Sequence, residues 1–165
     1  MKFCITRCSK KKHEGILPPD KLYDSSRIGR FVEYCKRNNF NWGILSAKYG
    51  LFFPAERNGN YNVTLESDKG CCLGIKVEID GKRLLKKQSA LKLKGSVENV
   101  KSQASNHSVG QVVFYTPNPK GAEAYLALLH FVFDNCEKTH SWSELLKCIS
   151  KHGTIYVTTQ LDFDP

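Results

Sequence analysis

Apolar positions along this chain follow two different periods. Phe3-Cys4-Ile5-Thr6-Arg7-Cys8 is a run of strand formers that gives way to Ser9, three lysines and a stretch holding Gly15, Pro18 and Pro19. Such a stretch neither extends a strand nor opens a helix, so the expectation is a strand followed by a basic loop. Behind Asp24 or Ser25 as N-cap, Ile28, Phe31, Val32 and Cys35 recur at i, i+3, i+4 and i+7, with Arg27, Arg30, Glu33, Lys36 and Arg37 between them. That spacing predicts a helix with one buried stripe. Asn38, Asn39 and Asn41 end it, and Trp42-Gly43-Ile44-Leu45 reads as a second short strand.

The last third repeats the order. Gln111 to Tyr115 reads as a strand, Asn118-Pro119 suits the N-cap and first position of a helix, and Gly121 to about Asn135 is largely apolar. Ser141-Trp142-Ser143-Glu144 is a capping box for a helix to His152, Gly153 stops it, and Thr154 to Thr158 is a final strand. Strands alternating with helices predict an α/β fold, a mostly parallel sheet flanked by helices on both faces. Between these parts the pattern weakens. Tyr61, Val63 and Leu65 alternate with polar residues, as do Ile75, Val77 and Ile79 before Asp80-Gly81, which predicts an antiparallel edge hairpin. Lys82 to Lys94 reads as a basic helix, and the Ser/Asn/Gln-rich stretch from Gly95 to Gly110 as a helix fragment and a mobile loop.

Composition narrows the classes. At 165 residues the chain suits one domain, 1–165, with about 66–110 as a variable basic insertion or edge region. Its longest apolar run, Ala124 to Phe133, is far short of the ~20 residues that span a bilayer, and the start MKFCITRCSKKK lacks an apolar signal core. A cytoplasmic protein without a membrane partner is therefore expected. Seven cysteines, an odd number, make a poor disulfide framework without a secretory signal. The formal charge of +9 makes nucleic acid or a phosphorylated small molecule the natural partner, although solubility alone would also account for it.

Ligands of open parallel sheets bind outside the carboxyl ends of the strands. The four predicted strands are followed by Ser9-Lys10-Lys11-Lys12, by Ser46-Ala47-Lys48-Tyr49-Gly50, by Thr116-Pro117-Asn118-Pro119-Lys120-Gly121 and by Thr158-Thr159-Gln160. Each begins with a hydroxyl and three supply lysine, which is the chemistry of an anion site: hydroxyls and N–H groups orient phosphate oxygens, and lysine supplies the opposite charge. A helix starting near Pro119 would add its N-terminal dipole. Loops are polar in most proteins and lysine is abundant in this one, so chance supplies part of the coincidence. No G-x-x-x-x-G-K-[ST] or G-x-G-x-x-G occurs, and no cofactor is expected. Cys136, His140, Cys148 and His152 have the residue types of a zinc site but not the order of a zinc finger, and Cys148 and His152 share a helix with the stripe Trp142, Leu145, Leu146 and Ile149; core packing is the reading preferred, with no metal. Cys4 and Cys8 share a strand face, Cys4 as core and Cys8 as a candidate nucleophile beside its lysines. Glu56 and Glu66 flank the second loop as candidate acids or bases.

Leu45-Ser46-x-x-Tyr49-Gly50-Leu51, then Pro54, then Tyr61, resembles the signature of YaaA-like proteins. Cys8-Ser9 with Lys12, Leu22-Tyr23 and Ser46-Ala47-Lys48 resemble more closely a widespread group of small, uncharacterised YaaA-related domains. The likeness covers about residues 3–65. Cys8, Lys12, Tyr23 and Ser26 are more faintly similar to the catalytic core of archaeosine synthase, which modifies a deazaguanine base in transfer RNA and uses no metal for that step; here a loop separates Lys12 from Tyr23, and Gly29 stands where that core has a histidine. The resemblance implies a site of this superfamily type and, for YaaA itself, an association with DNA and oxidative stress. Three functions follow as expectations. The first is binding of nucleic acid or a nucleotide by Ser9, Tyr23, Ser26, Ser46, Lys48, Tyr61, Thr116, Asn118 and Lys120, with Lys10, Lys11, Lys86 and Lys87 extending the basic surface. The second is a nucleobase- or nucleotide-modifying enzyme using Lys12 or Cys8, and the third a structural or partner-binding protein.

Overall fold

The computed structural model describes residues 2–68, 71–136 and 141–164. The chain runs through β1 (Lys2–Arg7), α1 (Pro19–Leu22), α2 (Ser26–Arg37), β2 (Trp42–Ser46), β3 (Gly50–Phe52), β4 (Val63–Asp68), β5 (Cys71–Ile79), β6 (Lys82–Arg83), α3 (Lys86–Asn106), β7 (Gln111–Tyr115), α4 (Glu123–Phe133), α5 (Trp142–His152) and β8 (Ile155–Thr158). The fold is mixed α/β. A five-stranded sheet has the order β3-β2-β1-β7-β8, and all of its pairs are parallel except β2 with β3. A second, antiparallel sheet has the order β4-β5-β6.

β1 lies at the centre of the main sheet because its consecutive residues Phe3 to Thr6 are all buried, the pattern a central parallel strand requires. α2 forms where its spacing predicts: Ser25 accepts a hydrogen bond from the Ile28 N–H at 3.3 Å, and Ile28, Phe31, Val32 and Cys35 are the buried stripe. Phe31 stacks on Tyr115 of β7 with ring centroids 5.9 Å apart. Each such side chain contributes roughly 1.5–3 kcal/mol of burial. In the last third, Ser141 caps α5 through the Glu144 N–H, and Gly153 follows its last turn.

Several expectations change. The antiparallel pair is present, with Val63 opposite Ile79 and Leu65 opposite Val77, but it belongs to a separate sheet and not to an edge of the main one. Asp80 and Gly81, both at positive φ, turn the chain so that Lys82 and Arg83 pair with Ile79 and Glu78 as β6. The basic helix therefore starts at Lys86, and it runs through Gly95 to Asn106 instead of breaking into a loop. Leu93, Val97, Val100 and Ala104 give it a sparse apolar stripe, and docking on β3, β5 and α4 overrides the weak propensity of its Ser/Asn/Gln content. One helical turn, α1, opens on Pro19 in the loop expected to hold none; proline at a first helical position loses no bond. Pro119 to Ala122 is a 3-10 turn without an Asn118 side-chain cap, and α4 begins only at Glu123.

β3 is an edge strand the hydrophobic pattern does not reveal. Gly50 enters it at φ +73°, and a Cβ there would collide with the Gln103 side chain of α3. Both facts require glycine. The Gln103 amide fills that space: its Oε1 accepts from the Leu51 N–H at 2.8 Å, and its Nε2 donates to the carbonyls of Leu51 and Tyr49 at 3.1 and 2.9 Å.

Candidate functional site

From β1 the chain proceeds through α2 to β2 on one side, while β7 and β8 lie on the other. The carboxyl ends of β1 and β7 therefore flank a topological switch point, where open α/β sheets place ligands. A cleft of about 250 Å³ opens there. Arg7, Cys8, Ser9, Lys10 and Lys12 form one wall, Asn62 to Glu66 of β4 and its approach form another, and Gly121 and Tyr125 close it from the β7 side.

The loop after β1 is held in shape by Tyr23. Lys12 and Tyr23 form an antiparallel bridge, supported by bonds from the His13 N–H to the Leu22 carbonyl at 2.7 Å and from the Asp24 N–H to the Lys11 carbonyl at 2.9 Å. The segment between them is thus a closed excursion, and it leaves Lys12 next to Tyr23. The Lys12 ammonium sits 4.1 Å from the centre of the Tyr61 ring and 5.9 Å from that of Tyr23, while donating to the Lys10 carbonyl at 3.0 Å. Burial lowers its pKa from 10.5, and the nearby Cys8 opposes part of the shift.

Beneath the lysine lies a buried hydroxyl chain. Ser46 donates to the Tyr61 hydroxyl at 2.8 Å and accepts the N–H groups of Lys48 and Tyr49 at 3.2 and 2.9 Å. The hydroxyls of Tyr61 and Tyr23 are 2.7 Å apart. Burial, and after it the neighbouring Cys8, raises the pKa of both phenols and of Tyr125 above the ordinary tyrosine value. They remain neutral hydrogen-bond donors at neutral pH. Cys8, itself buried, has its sulfur 3.4 Å from the Tyr125 hydroxyl.

Arg27 fastens the end of β1 to α2. It donates to Thr6 Oγ1 at 2.6 Å and to the carbonyls of Arg7 and Cys8 at 2.9 and 3.2 Å. Burial, and then the Arg7 charge, lowers its pKa to about 10, so it stays cationic at neutral pH. Arg7 lies close to Gly121, where a Cβ would come within 3.1 Å of the guanidinium. Its Nε is buried and finds no hydrogen-bond partner among the described residues.

Cys8, Lys12, Tyr23, Ser46 and Tyr61 are thus brought together, and Ser9 and Lys10 line the cleft. The remaining sites fall elsewhere. Ser26, in the first turn of α2, and Lys11, paired with Asp24 at 3.2 Å, are exposed. Lys48 is exposed with its ammonium 5.2 Å from the Tyr49 ring. Asn118 and Lys120 are exposed outside the cleft lining, as are Lys86 and Lys87 in the first turn of α3.

The loop hydroxyls do not stand open toward a ligand as the anion-site pattern expects. Ser9, Thr116 and Thr158 each donate to the carbonyl two residues on, Lys11, Asn118 and Gln160, at 3.2, 3.0 and 3.1 Å. Short polar side chains satisfy local backbone groups this way, and only Ser46 reaches across the fold. The helix dipole near Pro119 is also committed, because Glu123 occupies the first turn of α4, buried, and accepts from Ser67 at 2.8 Å. Glu56 takes the Phe53 N–H at 2.8 Å, and Glu66 faces Arg83 at 3.5 Å. Cys4 is core as expected. His140 of the proposed zinc set lies outside the described residues, and among the described residues no three His, Cys, Asp or Glu side chains are arranged to hold a metal.

Arg7, Arg27 and Tyr125 are the site residues the sequence pattern passes over. Arg27 reads as a solvent-facing helix position and Tyr125 as one more member of an apolar run. The signal for Arg27 and Tyr125 is positional, since the first turn of a helix that follows a strand lies over that strand's carboxyl end, and Arg7 is itself the last residue of β1.

The fold and cleft define an α/β protein with a cationic, tyrosine-backed pocket at the switch point of its main sheet. Residues 4–70 match the model of a family described as a family of unknown function (DUF6884), a span that includes Cys8, Lys12, Tyr23, Ser46 and Tyr61 and ends before Gly121 and Tyr125. No curated protein and no solved structure matches the chain.

Proposed function

We propose that the cleft binds one nucleotide unit, free or as part of a nucleic acid, with its phosphate held by Arg7, Lys10 and Lys12. The observation that carries this reading is the convergence of three cations, Arg7, Lys10 and Lys12, on one cleft at the switch point. The cleft's 250 Å³ is below the roughly 300–1,000 Å³ of sites for drug-sized ligands, so it suits one moiety with the remainder outside. Helices on both faces of the main sheet, a cytoplasmic setting suited to free Cys4, Cys8 and Cys35, and the resemblance to YaaA-related domains at Cys8-Ser9, Lys12, Tyr23 and Ser46 belong to the same reading.

The test is a titration of the full chain with nucleoside monophosphates and with short single- and double-stranded DNA and RNA over a salt series. Expected is binding that weakens with salt and falls at least about tenfold in Lys12→Ala. Binding that ignores both salt and Lys12 would reject the site. A second reading is favoured by the shared position of Lys12, with its lowered pKa, and the Cys8 thiol. A nucleotide- or nucleobase-modifying enzyme would use one of them as nucleophile. A covalent adduct that disappears in Lys12→Ala or in Cys8→Ser would support it, and turnover undiminished in both variants would remove it.

A further inference from the structure

The two long walls of the cleft differ in kind. One carries the cations Arg7, Lys10 and Lys12, and the other is β4 with its approach, where Asn62, Val63, Thr64, Leu65 and Glu66 follow one another without a gap. A strand met on its face shows every second side chain, whereas a strand met along its edge shows consecutive residues. β4 is an outer strand of its sheet and, among the described residues, pairs with β5 alone. Its free edge therefore faces the cations.

The ladder fixes which backbone groups that edge presents. One step before the Val63–Ile79 pair, the Asp80 N–H donates to the Asn62 carbonyl at 2.8 Å, so Asn62 faces β5. With a strand period of two, Thr64 and Glu66 face β5 as well, and Val63 and Leu65 turn their N–H and C=O groups the other way. The far strand agrees in phase: Val77, opposite Leu65, gives its carbonyl to the Leu84 N–H at 2.9 Å, on the side away from β4. The Leu65 N–H is directed at the Tyr125 hydroxyl, which also lies 3.4 Å from the Cys8 sulfur. Val63 keeps an adjacent donor and acceptor to which, among the described residues, nothing is bonded.

We infer, resting on the nucleotide reading above, that the Val63 N–H and C=O bond the base-pairing edge of an unpaired base, so that the cleft takes a free nucleotide or single-stranded nucleic acid and rejects a duplex. Each of the common bases sets a donor beside an acceptor on that edge, which is open in a single strand and consumed in a duplex. The phosphate then lies on the cationic wall, the base edge on Val63 and the sugar at the mouth, in a cleft sized for one nucleotide unit. An extended peptide is the poorer occupant. Strand addition needs a row of open backbone groups, whereas here the Leu65 N–H is taken and the register shifts between Glu66 and Asp68. Main-chain groups carry no side-chain code, so discrimination among the bases should be slight.

Competition binding on the full chain separates the base contact from the phosphate contact. Uridine and adenosine monophosphate should bind at least about tenfold more tightly than ribose 5-phosphate, as two net hydrogen bonds imply. Methylation at uracil N3 or adenine N1 should abolish that advantage, and a short oligonucleotide should lose at least about tenfold in affinity on annealing to its complement. Val63→Pro removes the outward N–H and none that faces β5, so the ratio of uridine monophosphate to ribose 5-phosphate affinity should fall toward one. The methylated nucleotides on the unmutated chain decide the question if the proline variant fails to fold. Ribose 5-phosphate that binds through Lys12 as tightly as the nucleotides do overturns the base contact alone, as does full affinity for the methylated nucleotides or for the duplex. Failure of every phosphate ester to bind overturns the cleft reading, and the base contact with it.

Discussion

The carboxyl edge of the main sheet has two halves built to different ends. On the β1–β2 side, side chains reach across the fold: Tyr61 joins Tyr23 to Ser46, Arg27 joins α2 to β1, and Lys12 rests on the Tyr61 ring. On the β7–β8 side, Thr116 and Thr158 bond within their own loops and Glu123 fills the helix end. Residues of both halves are polar and follow strands, so polarity alone does not make a site. Long-range bonds that hold a cation at a cleft separate the two.

Arg27→Met should have the largest effect on this contrast. It withdraws donors from Thr6 and from the Arg7 and Cys8 carbonyls, and with bonds to charged groups each worth about 1.5–3 kcal/mol, less the desolvation saved, the net loss should be about 3 kcal/mol in urea unfolding. Tyr61→Phe should cost about 2 kcal/mol, because the Ser46 hydroxyl loses its acceptor inside the protein. The ring under Lys12 remains, so affinity for a nucleotide should change much less than stability. A variant that loses binding while keeping its unfolding midpoint would make the Tyr61 hydroxyl a ligand contact.

Lys12 gives the next effect, about tenfold in affinity. Its pKa is lowered by burial, so it loses its charge, and the cleft its anion affinity, at a pH below the ordinary lysine value. The sign for folding is opposite. Across the window between that lowered pKa and 10.5, the unfolded chain holds the proton more tightly, so stability should rise with pH there. Lys12→Met should erase both slopes and leave the protein no less stable at neutral pH. Parallel binding and unfolding curves against pH would check this.

How far the sequence discloses these parts depends on the range of the forces involved. Buried parallel strands are continuous apolar runs, so Phe3–Ile5, Trp42–Leu45 and Val112–Tyr115 can be read without a partner in view. α3 cannot be read so easily, because its stripe of Leu93, Val97, Val100 and Ala104 is diluted by lysine and serine, and Gln103 stabilises it only by meeting β3. β3 is three residues long, too short for a period to show. In the site, the Lys12–Tyr23 contact requires a ten-residue excursion to close, which local pattern does not encode. Ser9, Thr116 and Thr158 are the converse case. Their position after strands is legible, but the two-residue reach to their own carbonyls is satisfied before any ligand arrives.

On the β7–β8 side Thr116→Val should therefore cost only about 1 kcal/mol, the net worth of one part-buried bond to Asn118, and leave nucleotide affinity within about twofold. The smallest effects belong to Lys48→Ala and Lys120→Ala. Both lysines are exposed, so stability should move by less than about 0.5 kcal/mol. Their contribution to affinity should be a screened, rim-type attraction that fades as the Debye length contracts to ~8 Å near physiological salt. Lys48 is the sharper probe of the pair, because it stands next to Ser46 yet outside the cleft. If Lys48→Ala abolishes binding at physiological salt while Lys12→Ala does not, the ligand lies over the β2 loop, and the hydroxyl chain from Ser46 to Tyr23 is a scaffold for that loop instead of the floor of the cleft.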